Sequence, residues 1–222
     1  GKDLITEKDV LPEAQEAVVN KDELPEGTFY SWKEEPEISE PKQVKGIVLV
    51  TFPDGSSQEL EVNVRVKSDS ESYAAIVQDM ETDKNLLPDA SLSISNRDDL
   101  PENTSYIWKQ EPDLTEAGEV TGIVLVTYPD GSSEELEVKV RVRTDAETYE
   151  AVAEDLITGK NLLPDAKEAV ANKGELPENT NYSWKEEPDL TKAGEVTGVV
   201  LVTYPDGSEQ ELEVSLTVKT DA

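Results

Sequence analysis

The sequence predicts a mainly β protein that consists of three tandem copies of one small domain. The first observation is a repeat of 76 residues that runs without insertion or deletion, as shown by the tryptophans Trp32, Trp108 and Trp184. The second is a pair of strand patterns around a Phe/Tyr-Pro-Asp-Gly turn, found at 51–66, 127–142 and 203–218. This period is too long for a solenoid unit of about 20–50 residues. It is long enough for a domain with its own core.

The register of the repeat sets the expected domain boundaries. We expect copies at residues 1–70, 71–146 and 147–222, and the first copy lacks a few residues at its start. The joins are short and contain neither Gly nor Pro, so they differ from a flexible Gly/Ser linker. The sequence therefore predicts a single-file rod of domains with limited bending at each join.

Each copy is expected to end in a β-hairpin. In the third copy Pro205 presets φ for the first central turn position, and Gly207 supplies a positive φ at the end of the turn. The incoming strand, 198–204, is apolar on both faces and is therefore expected to be central. The return strand has one buried and one wet face, since polar residues alternate with Leu212, Val214, Leu216 and Val218. Asp206 is most simply a turn residue, and not part of a ligand site.

A third strand is expected upstream, where Tyr182 and Trp184 point to one side. A Trp that packs on a small sheet is the ordinary core anchor. The alternative is a surface ring that binds sugar or peptide.

The local sequence pattern bears on the secondary structure of two further segments. Residues 164–172 have Pro at the start, with Asn and then Gly174 at the end, which predicts a short helix. In the second copy, 91–94 favours a strand instead. The segment 147–157 is compatible with a helix or a strand.

The Leu-Pro-Glu-Gly-Thr stretch at 24–28 resembles a sortase signal, but its Thr is one place too late. The same place holds Gly27, Asn103 and Asn179, and these residue types mark a left-handed backbone position. The stretch is therefore interpreted as a turn.

Charge and composition exclude several classes of function. The chain has 50 Asp and Glu against 20 Lys and Arg, for a net charge of −30. Such a chain would repel nucleic acid and anionic membranes, and no apolar run is long enough to span a bilayer. Low hydrophobicity with high charge is typical of disorder, but the regular strand patterns indicate a folded protein.

No catalytic, cofactor-binding or metal-binding residue is predicted. Cys and His are absent, and no nucleophile–base pair or phosphate loop accompanies the carboxylates. No Asp-x-Asp-x-Asp-Gly calcium loop is present. The chain is therefore expected not to be an enzyme and to need no cofactor. A Lys–Asn isopeptide crosslink has candidate residues in every copy, which are Lys8, Lys84, Lys160, Asn20, Asn96 and Asn172.

A set of motifs in fixed order resembles the Rib/alpha-like repeat family of Gram-positive bacterial surface proteins. In the third copy these motifs are at 176–180, 182–188, 194–196 and 202–208, followed by the valine-rich closing strand. The first copy departs from them most, with Phe52 in place of Tyr and a different loop at 39–44.

The resemblance implies a reduced immunoglobulin-like β-sandwich, repeated in tandem within an extracellular, cell-wall-anchored adhesin. It implies no catalytic or cofactor residues. The chain is then expected to be a monomeric internal fragment, without signal peptide or sorting signal, whose partners are its neighbouring repeats and, where one exists, a host-surface ligand.

Two functions remain open. The first is a stalk that projects an adhesive head, with its length set by repeat number. Near-identity of 112–132 and 188–208, which differ at two positions, favours this function. The second is an adhesive module that binds a host or matrix ligand, with avidity from repetition.

Overall fold

The computed structural model describes residues 1–220, and strands are its main secondary structure. The last two residues of the expected third copy lie outside the described residues. The strands are β1 (Leu4–Thr6), β2 (Phe29–Glu34), β3 (Gln43–Thr51), β4 (Ser57–Val66), β5 (Met80–Thr82), β6 (Ser105–Gln110), β7 (Gly118–Thr127), β8 (Ser133–Val142), β9 (Leu156–Thr158), β10 (Asn181–Glu186), β11 (Gly194–Thr203) and β12 (Glu209–Val218). The mainly β fold is confirmed.

All helices among the described residues are short. The α-helical turns are α1 (Asp69–Ser72) and α2 (Asp145–Thr148), and the 3-10 helices are Ala14–Ala17, Lys21–Glu23, Ala90–Ser93, Arg97–Asp99 and Ala166–Ala169. In this part of the chain no helix has the length and apolar content needed to cross a bilayer.

The chain divides into two compact units. The first comprises residues 1–78, 89–110 and 123–138, and the second comprises 79–88, 111–122 and the chain from 139 onward. Each unit contains one complete join between successive copies, so the two joins are described separately below.

Each copy contains one four-stranded sheet with the same strand order. The orders are β1-β4-β3-β2, β5-β8-β7-β6 and β9-β12-β11-β10. The first strand of each copy is short and runs parallel to the closing strand, as where Leu156 lies opposite Leu216. The segment 147–157, which periodicity left open, therefore contains the end of α2 and the start of β9.

The hairpin prediction is confirmed in the third copy. Strands β11 and β12 pair antiparallel along their whole length, from Gly194 opposite Val218 to Thr203 opposite Glu209. Gly207 has a φ of 82°, as the turn requires. The predicted alternation on β12 also holds, since Val214, Leu216 and Val218 are buried and the residues between them are exposed.

The core lies between the sheet and a layer formed by the 3-10 helix and its flanking loops. In the third copy Ala166, Ala169 and Val170 pack against Val200 and Leu216 of the sheet. The short helix predicted at 164–172 is thus confirmed as the four-residue helix Ala166–Ala169. This layer and the curled sheet together form the reduced sandwich.

The prediction of a strand at 91–94 is wrong. Residues Ala90–Ser93 form the same 3-10 helix as in the other copies. Ser93 is fully buried and donates its hydroxyl to the carbonyl of Ala90 at 2.7 Å, while Ile94 is also fully buried. Burial of these positions, which the local pattern does not show, decides the conformation.

The predicted core tryptophans pack on the core with part of each ring exposed. Trp184 is half-buried against the core, and its Nε1 donates to the carbonyl of Pro164 at 2.9 Å. Trp32 makes the same bond to Pro12 at 2.8 Å. A Cβ at Gly198 would lie 2.9 Å from the Trp184 ring, so only glycine permits this close approach.

The left-handed turn prediction is confirmed in all three copies. The φ angles are 87° at Gly27 and 68° at both Asn103 and Asn179. These residue types adopt this conformation at the lowest cost.

Candidate functional site: the junctions between repeats

The second junction begins with a capped helical turn. Two residues separate the end of β8 from α2. The Glu147 carboxylate accepts from the backbone N–H of Thr144 at 2.9 Å and from its hydroxyl at 3.1 Å. The Thr144 side chain in turn accepts from the backbone N–H of Glu147, which completes a capping box. Arg141 also pairs with Glu147. The connection between the two copies is therefore an ordered turn held by side chains.

Asp206, at the hairpin tip, uses its two carboxylate oxygens for two tasks. Oδ1 accepts from the backbone N–H of Ser208 at 2.9 Å, which is the predicted turn interaction. Oδ2 accepts from the backbone N–H of Asp145 at 2.7 Å. The Ser208 hydroxyl accepts from Ala146 N–H at 3.0 Å. The hairpin tip thus caps the helical turn that starts the third copy.

Lys84, on the loop after β5 of the second copy, forms ion pairs with Asp145 and Asp206. Its Nζ lies 2.6 Å from Asp145 Oδ1 and 3.0 Å from Asp206 Oδ2. The side chains of Lys84, Asp145 and Asp206 are 19%, 9% and 14% exposed, so solvent screens this ion pair only in part. One cation of the second copy therefore joins Asp145, in the turn between the copies, to Asp206 on the hairpin of the third copy.

Asp83, beside Lys84, adds a second contact across the same junction. Its Oδ1 accepts from the Thr148 hydroxyl at 2.8 Å and lies 2.8 Å from an Arg143 guanidinium nitrogen. Lys84 and Asp83 together hold α2 from the side of the second copy.

The first junction has the same backbone contacts with a more exposed lysine. Asp130 Oδ2 accepts from Asp69 N–H at 2.8 Å, and the Ser132 hydroxyl accepts from Ser70 N–H at 3.0 Å. Burial opposes ionisation of Asp130, but its hydrogen bonds and the charge of the exposed Lys8 together lower its pKa. The two junctions share the backbone hydrogen bonds to the hairpin tip. They differ in the lysine, since Lys8 is exposed and Lys84 forms two ion pairs.

A tyrosine on each of the last two hairpins contacts the start of the same copy. Tyr204 is buried, stacks on Tyr149 with ring centroids 6.4 Å apart, and donates its hydroxyl to Gln210 Oε1 at 2.9 Å. Burial raises the pKa of Tyr204, so its hydroxyl stays protonated and can donate. Phe52 stands at this place in the first copy and has no hydroxyl.

The contacts of Asp206 change its acidity. Partial burial opposes ionisation, but hydrogen bonds from Ser208, from Asp145 N–H and from Lys84 outweigh it. The pKa of Asp206 is therefore well below its ordinary value. A depressed carboxyl pKa contributes stability that is complete above the unfolded-state pKa of about 3.9 and is lost as the pH falls below it.

Asp206→Asn is expected to lower the stability of the third copy by about 1–3 kcal/mol at pH 7, because a charged hydrogen-bond acceptor is lost. The deficit should shrink as the pH falls from 5 to 2. Urea denaturation at pH 7 and at several pH values from 5 to 2 measures the stability loss and its dependence on pH. Asp54→Asn removes the same charge from a hairpin tip whose carboxylate bonds to Ser56 within its own turn, so it is the matched control and should cost less. A deficit independent of pH would contradict the interpretation.

Two of the candidate isopeptide residues, Lys84 and Asn172, form other contacts. Lys84 Nζ contacts Asp145 and Asp206. The Asn172 side chain bonds to the backbone of Val152 and Glu150.

No metal-binding residue was predicted, and within residues 1–220 no group of three or more Asp, Glu, His or Cys side chains could hold a metal ion. Thermal unfolding in chelator and in millimolar calcium is therefore expected to coincide, apart from ionic screening of the −30 charge. Sodium at matched ionic strength is the control. An upward shift in Tm specific to calcium would overturn this expectation.

The junction residues were missed as a site by the sequence analysis. The sequence showed a lysine that recurs as Lys8 and Lys84 and a turn aspartate that recurs as Asp130 and Asp206. Nothing in the spacing showed that Lys84 and Asp206 are in contact. The signal that could have found them was a lysine two residues after the end of a short strand in every copy.

The fold and these junctions define the class: a tandem array of small β domains joined by ordered contacts without a linker. A sequence profile of the Rib domain matches residues 1–68, 69–144 and 145–220. The chain belongs to the Rib domain family.

Similarity to individual proteins is as follows. The chain is 27% identical over 206 residues to the C protein alpha-antigen of Streptococcus agalactiae, covering 82% of this chain and 19% of that protein's length. It is 37% identical to a solved Rib structure from Streptococcus pyogenes, covering 35% of this chain and all of that one, with a TM-score of 0.34. The sialic acid binding region of a Streptococcus sanguinis adhesin, solved with 3'sLn, is 16% identical with a TM-score of 0.39, covering 91% of this chain and 60% of that one.

Proposed function

We propose that this chain is a stalk segment of a cell-wall-anchored bacterial surface adhesin, with length as its functional output. Membership of the Rib family and the similarity to a streptococcal surface antigen support an extracellular location. No catalytic role is assigned. The chain covers 19% of that relative's length. The existence of an adhesive head in another part of the protein is therefore also proposed.

The observation that carries the proposal is the ordered junction. A repeat array acts as a spacer only when each join resists folding back. The Lys84 ion pairs and the Asp206 cap restrain the second join, and the Asp130 cap restrains the first. Neither join contains a Gly/Ser stretch that would behave as a flexible coil.

Small-angle scattering tests the proposal. A compact domain of this size has a radius of gyration of about 11 Å, hence a diameter near 30 Å, so three in line should span at least ~90 Å. Chains with one or two added copies should lengthen by a constant step. A maximum dimension near 60 Å, as for three clustered domains, would defeat the stalk function.

A second candidate is a repeated adhesive module. In every copy the loop before the 3-10 helix carries two adjacent apolar side chains that are each at least 40% exposed; they are Val10, Leu11, Leu86, Leu87, Leu162 and Leu163. Repetition of this surface would give avidity. Binding to immobilised matrix proteins that rises steeply with repeat number, and falls on Leu86→Ser and Leu162→Ser, would favour this function over the stalk.

A further inference from the structure

The start and the end of the third copy lie side by side. The chain enters this copy through α2 and β9 and leaves it through β12. Strand β9 runs parallel to the end of β12, with Leu156 opposite Leu216 and Thr158 opposite Val218. The carbonyl of Thr158 also accepts from the N–H of Lys219 at 2.9 Å. The described residues of the third copy all belong to the second compact unit.

The parallel register continues upstream of β9 as far as the hairpin tip. The N–H of Asp145 donates to Asp206 Oδ2 at 2.7 Å, and further along the N–H of Ala151 donates to Gln210 Oε1 at 3.0 Å. The residue numbers of the two partners rise together from the hairpin tip to the end of β12. The entering segment, defined as residues 145–158, therefore runs parallel to the closing strand of its own copy.

The loop layer of the third copy holds the entering segment from its other side. The Asn172 side chain accepts from the N–H of Val152 at 2.9 Å and donates to the carbonyl of Glu150 at 2.8 Å. The N–H of Glu154 donates to the carbonyl of Ala169 at 2.9 Å. The entering segment is thus hydrogen-bonded on both sides through its backbone.

The second copy repeats the Asn172 contacts, within the first compact unit. Asn96 accepts from the N–H of Ile76 at 2.8 Å and donates to the carbonyl of Ala74 at 2.9 Å. Ile76 and Ala74 stand where the third copy has Val152 and Glu150. The contacts are retained although the side chains of the segment differ, because they are made to its backbone.

The parallel register determines how the third copy responds when its two ends are pulled apart. The entering segment begins at the hairpin tip, and the closing strand leaves at the opposite end of the sheet. Tension therefore pulls the two along each other in opposite directions, and their hydrogen bonds carry the load together. A hairpin that is pulled at its open end instead loses its bonds one at a time. The rate of unfolding under load, and not the equilibrium stability, governs the resistance to pulling.

We propose that the entering segment is a load-bearing clamp, through which the repeats transmit tension along the chain without unfolding. This further function rests on the proposed stalk, because a projecting tether is pulled at both of its ends. Length requires only that the joins are ordered. Resistance to tension also requires that the entering segment does not slide past the closing strand, and the bonds of Asn172 and Gln210 oppose that sliding.

The test is single-molecule pulling of the intact chain by its two ends at constant force. Asn172→Ala removes both bonds of this side chain to the entering segment. The lifetime of one unfolding step is expected to shorten roughly tenfold, since these hydrogen bonds must break before the segment can slide. Asn172→Ala combined with Asn96→Ala should shorten two steps. The unaltered step in the same chain is the internal reference.

Trp184→Phe is the matched control for a loss of stability elsewhere in the third copy. Trp184 lies on β10, at the sheet edge opposite β9, and its Nε1 bonds to the carbonyl of Pro164. Urea denaturation gives the equilibrium stability lost in each variant. The control should change the lifetime under load by less than about threefold, because the contacts of β10 remain intact while the entering segment slides.

A change in the direction of pulling tests the proposal without altering the clamp. The chain contains no Cys, so Glu195→Cys and Lys219→Cys provide unique attachment points at the open end of the β11–β12 hairpin. Both positions are exposed. Pulling between them should unfold the third copy at a clearly lower force than pulling by the chain ends.

Equal unfolding forces in the two directions would overturn the clamp. A lifetime effect of Trp184→Phe as large as that of Asn172→Ala would also overturn it. The proposed stalk is judged separately by scattering, since an extended chain with either of these results would keep the stalk and lose only the clamp.

Discussion

Replacing Trp184 by alanine is expected to lower the unfolding free energy of the third copy by about 3 kcal/mol, the lower end of the 3–5 kcal/mol found for buried aromatic residues. The lower end applies because the ring is half-buried. Its loss removes contact with the core and the bond to the carbonyl of Pro164. It also leaves a gap above Gly198, where the ring approaches closely.

Chemical denaturation followed by hydrogen exchange of the β11 amides measures this effect in the third copy. Trp184→Phe is the control, because it keeps an aromatic ring against the core and loses only the indole bond and part of the area. It should cost distinctly less. A loss below about 1 kcal/mol for the alanine variant, with the fold intact, would place the ring on the surface and revive a ligand-binding role.

Lys84→Ala is expected to destabilise the second junction by about 2–4 kcal/mol. Removing one partner of a largely buried pair leaves the other charge uncompensated. Here two carboxylates, Asp145 and Asp206, would remain close together without a cation. The value lies below that of a fully buried pair because all three side chains keep some solvent contact.

The readout is the exchange rate of Asp145 N–H, which donates to Asp206 across the turn. Lys84→Met retains most of the side-chain length without the charge and should behave like the alanine variant. Lys8→Ala is the matched control at the first junction. It should change stability by less than about 0.5 kcal/mol, because the side chain is exposed. Equal effects of Lys84→Ala and Lys8→Ala would contradict the ion-pair account.

These expectations imply junctions of unequal strength within one chain. Copies that are nearly identical in sequence share the cap from the hairpin Asp. The lysine contact differs, since Lys84 is enclosed by two carboxylates and Lys8 is exposed. In the proposed stalk, bending would concentrate at the first join.

The sequence by itself determined the features that depend on neighbours along the chain. The repeat, the hairpin at Gly207 and the left-handed turn at Asn179 all follow from spacing and backbone preference. The alternation on β12 determined which face is buried. Such features are local, so the residue types that favour them are visible without knowing the fold.

Tertiary structure decided the rest. The 3-10 helix Ala90–Ser93 forms despite a strand-like pattern, because Ser93 and Ile94 become buried. Strand β9 is three residues long and forms only by pairing with β12, which lies far along the chain. Lys84 and Asp206 are 122 residues apart in sequence and 3.0 Å apart in space. Each of these contacts depends on which surfaces the folded chain brings together, and no local preference encodes that.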